Sequence, residues 1–245
     1  MTALLVTGVV AVAAALLVLA LVVLPAGPQR VSLDRLDPSR VPPHSALAGA
    51  GTAASAGVTR LLRRGRIEAG QAALEKAGIS RSLPDVVLTV GLLTLGLGVV
   101  TALLAGLLLG LLAAVAVPLS AKLLVTTKAA RRQAAFADQL DDSLQLMASS
   151  LRAGHSLLRA VDSVSHEAAS PTSEEFARIV NETRVGRDLN DSLDEVAERM
   201  ASDDFTWVAQ AIAIHREVGG NLAEVLDAVC KTIRANSSDV GEAAS

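Results

Sequence analysis

Apolar residues are laid out in two ways along this 245-residue chain. In the first half they come in uninterrupted blocks. Thr2 to Leu24 carries no charge, and neither does Val86 to Ala121, a run of 36 residues bounded by Asp85 and Lys122. From Arg131 to Arg234 they recur instead three and four residues apart, between charges. Three times in that segment a glycine is followed by a leucine three residues on and an aliphatic four beyond: Gly154, Leu157, Val161; Gly186, Leu189, Leu193; Gly219, Leu222, Leu226. The glycines fall 32 and then 33 residues apart. A glycine just past a helix end supplies the left-handed cap, and the apolar spacing after it opens the buried face of the next helix. Each signature therefore predicts a helix end, a turn and a new packed helix, with helix pairs stacked in repeat.

The uncharged blocks predict membrane spans. Thr2 to Leu24 is 23 residues, which at about 1.5 Å each crosses a hydrocarbon core of about 30 Å. No Lys or Arg precedes Arg30, so the basic start of a cleaved signal peptide is missing and residues 1–24 read as an uncleaved span. Residues 86–121 as one helix would be about 54 Å long, nearly twice the core thickness. Two spans of about 17 residues, folded back near Gly106 or Gly110, fit better. Bases flank this block on both sides, Arg60 to Arg66 and Arg81 before it, Lys122, Lys128, Arg131 and Arg132 after it. A hairpin keeps both clusters in the cytoplasm. The expected topology is N-terminus out, three spans, and the C-terminal helices inside. Neither block holds an ionisable residue, so no proton relay or ion path is written there.

Residues 25–85 read as a cytoplasmic linker, basic and flexible. It holds Pro25, Pro28, Pro38, Pro42 and Pro43, then the small-residue run Ala46 to Ala56. Arg60-Leu61-Leu62-Arg63-Arg64-Gly65-Arg66 reads as a cytoplasmic membrane anchor in preference to a nucleic-acid or lipid site. Ile67 to Ala77 predicts a short amphipathic helix stopped by Gly78. Net charge is −3, unevenly divided: Pro25 to Asp85 has 9 bases and 5 acids, whereas Leu123 to the end has 12 bases and 20 acids. So acidic a C-terminal region is a poor nucleic-acid binder.

Six helices are predicted after Lys128. The first, about Ala130 to Arg152, puts Phe136, Leu140, Leu144, Met147 and Leu151 on one face. The second starts near Ser156 and aligns Leu157, Val161, Val164 and Ala168. The third opens at Pro171, with Thr172 and Glu175 spaced as a capping box, and carries Phe176, Ile179, Val180 and Thr183. Asp188 caps the fourth, with Leu189, Leu193, Val196 and Met200. Ser202 or Asp203 caps the fifth, with Phe205, Val208, Ile212 and His215. Asn221 with Glu224 resembles a cap for the sixth, with Leu222, Val225, Leu226, Val229 and Ile233. Short connections between amphipathic helices predict an antiparallel bundle of about 100 residues. The fold class expected is an all-α membrane protein, three transmembrane helices plus a cytoplasmic six-helix antiparallel bundle over residues 129–236, with a disordered tail at 237–245.

No catalytic, cofactor or metal site is predicted. His166-Glu167 after Ser165 resembles a kinase phosphoacceptor box, but no residues remain for a nucleotide-binding domain, so it reads as a surface pair. His155 reads as a solvated turn residue, His215 as semi-buried, and His44 lies in the linker. Asp141-Asp142 and Asp203-Asp204 are sequence neighbours that point to different helix faces and do not converge; the second pair suits a helix start. Cys230 stands alone, which excludes an intrachain disulfide and a cysteine zinc site. There is no phosphate-binding loop, dinucleotide fingerprint or nucleophile elbow, and Gly219-Gly220 reads as a helix break. Trp207 reads as core or interface.

Three stretches carry a family resemblance: DQLDDSLQLMASSLRAGHSLLRAV, EFARIVNETRVGRDLNDSLDEVAER and AIAIHREVGGNLAEVLDAVCKTIR, with LEKAGIS at Leu74 to Ser80 ahead of them. Phe136 to Arg234 resembles the cytoplasmic domain of the type II secretion system F family (GspF/PilC/TadB-like), and most of all the TadB-like branch of Tad/Flp pili. Gly219 to Leu226 is its most specific part. The resemblance implies a non-enzymatic platform in the bacterial inner membrane, multi-pass, with its main domain cytoplasmic. The partners it implies are a hexameric cytoplasmic secretion ATPase, a paralogous platform subunit and pilin-like subunits, in a homo- or hetero-oligomer, with no cofactor. It makes Gly154, Leu157, Gly186, Leu189, Gly219, Gly220, Leu222 and Leu226 the structural motif residues. Family members of this type continue into two further spans, whereas here KTIR runs into a polar, small-residue tail; a truncated chain or half of a split platform is the expectation. The alternative is a membrane-tethered regulatory bundle that recruits a cytosolic partner.

Overall fold

The computed structural model describes residues 64–79 and 81–243. The predicted first span, most of the linker, His44 and Arg60 to Arg63 lie outside them. Every element among the described residues is a helix: α1 (Arg64–Lys76), α2 (Leu83–Ala105), α3 (Leu107–Arg152), α4 (Leu157–Glu167), α5 (Thr172–Arg184), α6 (Leu189–Met200), α7 (Asp203–Val218) and α8 (Leu222–Ala243). The chain divides into two units between Ala129 and Ala130, inside α3.

In the first unit, α2 starts on Ser82, whose hydroxyl accepts from the Asp85 N–H, with Pro84 in the first turn. It ends at Gly106, whose φ of +95° turns the chain directly into α3. Small residues let the two helices fold back on each other. A Cβ on Gly110 would lie 2.6 Å from the Ala102 Cβ and 2.8 Å from the Gly98 carbonyl, and Gly98 faces Ala114. This pairing of Gly98-xxx-Ala102 with Gly110-xxx-Ala114 suits an environment where helices associate by close packing. Thr94 and Thr101 return their hydroxyls to the carbonyls of Val90 and Leu97, both at 2.7 Å, so neither needs water. α1 ends in a Schellman turn, with the Ile79 N–H on the Leu74 carbonyl and the Gly78 N–H on that of Glu75, both 2.9 Å. Leu74, Ala77 and Ile79 pack there with Leu83, Val86, Val125 and Ala129.

Both α2 and α3 hold an apolar stretch long enough to cross a membrane. Little of either stretch is buried: Leu103, Leu107 and Leu108 stand outward, with Leu92, Leu95, Leu111 and Leu119. A core helix of a water-soluble protein hides such residues. Contrary to the prediction of separate span and bundle helices, α3 runs without a break through Pro118 to Arg152. Proline removes one N–H from the ladder, and the remaining bonds carry the helix across.

In the second unit each helix from α4 to α8 packs on its sequence neighbour. Phe136, Phe176 and Phe205, the chain's three phenylalanines, meet at the centre from α3, α5 and α7. The Phe136 and Phe205 rings are edge-on at 5.4 Å, and Phe176 is tilted at 5.9 Å from Phe205. Leu140, Leu144, Met147, Val161, Ile179, Leu193 and Ile212 fill in around them. α8 extends to Ala243, into the stretch expected as a disordered tail. An existing helix anchored by Leu226 and Cys230 adds residues without a new nucleation cost.

Candidate functional site

The second unit contains a cluster of buried charge. Arg132 on α3 reaches two neighbouring carboxylates of α5, Glu174 Oε2 at 2.7 Å and Glu175 Oε1 at 2.8 Å. The other Glu175 oxygen accepts from Arg199 Nε on α6 at 2.9 Å. Arg199 Nη1 donates to Glu195 at 3.0 Å, and Glu195 also takes Arg187. Arg199 and Glu175 are each only 5% exposed at the side chain. Burial pushes the Arg132 and Arg199 guanidiniums down, but hydrogen bonds and charge from Glu175, Glu174 and Glu195 outweigh it, and both are held above the ordinary arginine value. Burial likewise pushes Glu195 up, and Arg199 with Arg187 more than reverse it, so its carboxyl sits below the ordinary range. Arg199 Nη2 and Arg132 Nε have no hydrogen-bond partner. The cluster pins α3, α5 and α6 together by charge.

That cluster displaces the predicted capping box. Pro171 occupies the N-cap of α5 and makes no side-chain cap bond, while Thr172 is inside the helix with its Oγ1 unpartnered. Glu175 cannot reach back because two arginines hold it. The Thr172 N–H is taken instead by Gln139 Oε1 of α3 at 3.4 Å, and Gln139 Nε2 donates to the Ser170 carbonyl. The other starts are local. Ser156, Asp188 and Ser202 accept from the N–H groups of Arg159, Asn190 and Phe205, and Asn221 Nδ2 donates to Glu224 at 2.6 Å.

The three signature glycines do not all end their helices alike. Gly154 (φ +84°) and Gly186 (φ +99°) sit in Schellman turns, closed by His155 N–H to Ser150 O and Arg187 N–H to Glu182 O. Gly219 has φ +80° with ψ 171°, an extended conformation reserved for glycine rather than the expected left-handed cap. Gly220 follows at φ +129°, and a Cβ there would stand 2.7 Å from the His215 ring. The chain thus doubles tightly against α7 before α8. Leu157 and Leu222 are partly buried against the core, and Leu189 and Leu226 are inside it. A fourth Schellman turn was not legible: Ala201 ends α6 at φ 48°, with no glycine.

Trp207 is not core; it is 66% exposed. It walls a groove of about 740 Å³ between α7 and α8 with Val225, Val229 and Ile233, and Asp204 and Glu224 line the same groove. His155, His166 and Glu167 are at the surface, and His166 Nδ1 lies against the Asp162 carbonyl at 2.8 Å. Cys230 is buried, and its thiol is pushed up to about 11 by burial and by Asp141 and Asp227. Among the described residues no three His, Cys, Asp or Glu side chains gather to hold a metal ion.

Residues 143–244 match the family model described as Type II secretion system (T2SS), protein F. No curated protein and no solved structure matches the chain. Members of this family are inner-membrane platform proteins rather than enzymes. The acidic helical segment that begins at Ser143 in α3 and holds Phe176 and Phe205 of the core, here called the F domain, is thus similar to the type II secretion system protein F family.

Proposed function

We propose that the chain is a platform subunit of a type II secretion or Tad/Flp-type pilus machine, of the TadB-like branch. It couples a cytoplasmic hexameric ATPase to the extraction and assembly of pilin-like subunits. The apolar hairpin of α2 and α3 sits in the inner membrane, Thr2 to Leu24 adds a third span, and the second unit acts in the cytoplasm as a six-helix antiparallel bundle. The observation that carries this reading is α3 itself. One helix begins in a membrane-compatible stretch and ends inside the F domain, with Arg132 tied to α5 and α6. The continuity of α3 from the apolar stretch to Arg132 supports a coupling role. The reading is tested by reconstituting the full chain in nanodiscs with the purified ATPase and measuring binding. Saturable binding supports the platform, and no binding defeats it.

A further inference from the structure

Trp207, Ile214 and Val218 follow one another along a single face of α7 and are all exposed, the last at 81%. Large apolar side chains standing together on a polar domain mark an interaction surface. The groove beside them has aliphatic walls of Val225, Val229 and Ile233, and its lining ionisable groups are Asp204, Glu224 and His215. Asp204 lies in the first turn of α7 and Glu224 in that of α8. Their carboxylates share one groove with the exposed indole face, where a cation gains from both charge and the ring. His215, whose ring lies against Gly220, lines the same groove. A phosphate-bearing ligand would meet two carboxylates and neither Lys nor Arg among these lining residues.

We propose that the groove between α7 and α8 is the docking site for a cationic amphipathic helix of the cytosolic partner. One Arg or Lys of that helix lies over Trp207 between Asp204 and Glu224, with its aliphatic side chains on Val225, Val229 and Ile233. The proposal rests on the platform reading for which partner this is, the ATPase. Trp207 is the chain's only tryptophan, so 5-fluorotryptophan labelling of the full chain in neutral-lipid nanodiscs gives one fluorine resonance at the groove. Titration with the purified ATPase should shift that resonance saturably. The doubly neutral variant Asp204→Asn with Glu224→Gln keeps hydrogen-bonding side chains at both helix starts. It should weaken binding roughly fivefold and flatten its salt dependence, with only a small drop in melting temperature from the lost charges at the two helix starts. Equal ATPase affinity for both chains with a stationary resonance would overturn the groove while leaving the platform reading intact. Absence of any ATPase binding would defeat both. A resonance that moves with chain concentration before the ATPase is added would put a second copy in the groove and also overturn the proposal.

Discussion

Ala201 takes a conformation that costs an L-residue about 1–2 kcal/mol, at φ 48° and ψ 45°. It is held there because the Ser202 N–H closes on the Ala197 carbonyl at 3.2 Å, and Ser202 must then cap α7. Ala201→Gly should therefore stabilise the chain by about 1 kcal/mol, seen as a higher melting temperature of the full protein in detergent. Gly219→Val should do the opposite. A Cβ there meets open space, so the loss of about 1–3 kcal/mol comes from the backbone alone. A melt that stayed level would show that the turn tolerates another conformation. Much at this scale was legible because it is local: Ser156, Asp188 and Ser202 cap residues two or three positions on, and Gly154 and Gly186 end helices as their spacing said. Ala201 was not, since nothing in its own sequence marks a left-handed alanine. The fate of Glu175 was not legible either, because its partners Arg132 and Arg199 lie 43 and 24 residues away.

Among the elements, α5 depends on its neighbours for what its own sequence does not supply. Glu175→Gln leaves Arg132 and Arg199 buried around a neutral group and should cost about 3 kcal/mol. Glu174, 55% exposed in the same ion-pair set, should cost under about 1 kcal/mol as glutamine; denaturant unfolding of the two variants side by side checks the contrast. Acid adds a second test. Glu195 is held below the ordinary carboxylate range, so its contribution is present above that range and is lost as pH falls through the folded value. Stability should drop there, and less so in Arg187→Gln, which removes one of the two charges that hold it. The apolar hairpin of α2 and α3 depends on Gly110. Gly110→Leu has no room against Ala102 and Gly98 and should separate α2 from α3, lost as a cysteine cross-link between positions 98 and 114. The apolar block announced a turn near Gly106 or Gly110, and the structure places it at Gly106. It did not announce that α3 would continue past Pro118 for the length of two predicted helices, because span and bundle segments have the same helical preference and differ only in what surrounds them.

At the scale of the molecule, charge and hydropathy divide the labour. Bases bracket the uncharged block of α2 and α3, and 20 acids against 12 bases lie from Leu123 onward. The apolar helices are unburied, whereas the F domain has a closed aromatic and aliphatic core. What periodicity alone did not reveal is the outward side of α7: Trp207, Ile214 and Val218 recur as regularly as core residues do, and only packing shows that the core is filled by the opposite face. A platform driven from the cytosol requires the F domain on that side of the inner membrane. The most direct measurement is labelling of Arg152→Cys and Arg184→Cys in intact and permeabilised cells with a membrane-impermeant maleimide. Cys230, buried with a thiol near 11, stays silent in the folded chain at pH 7. Labelling of both positions only after the inner membrane is opened is the result expected; labelling in intact cells would contradict the account.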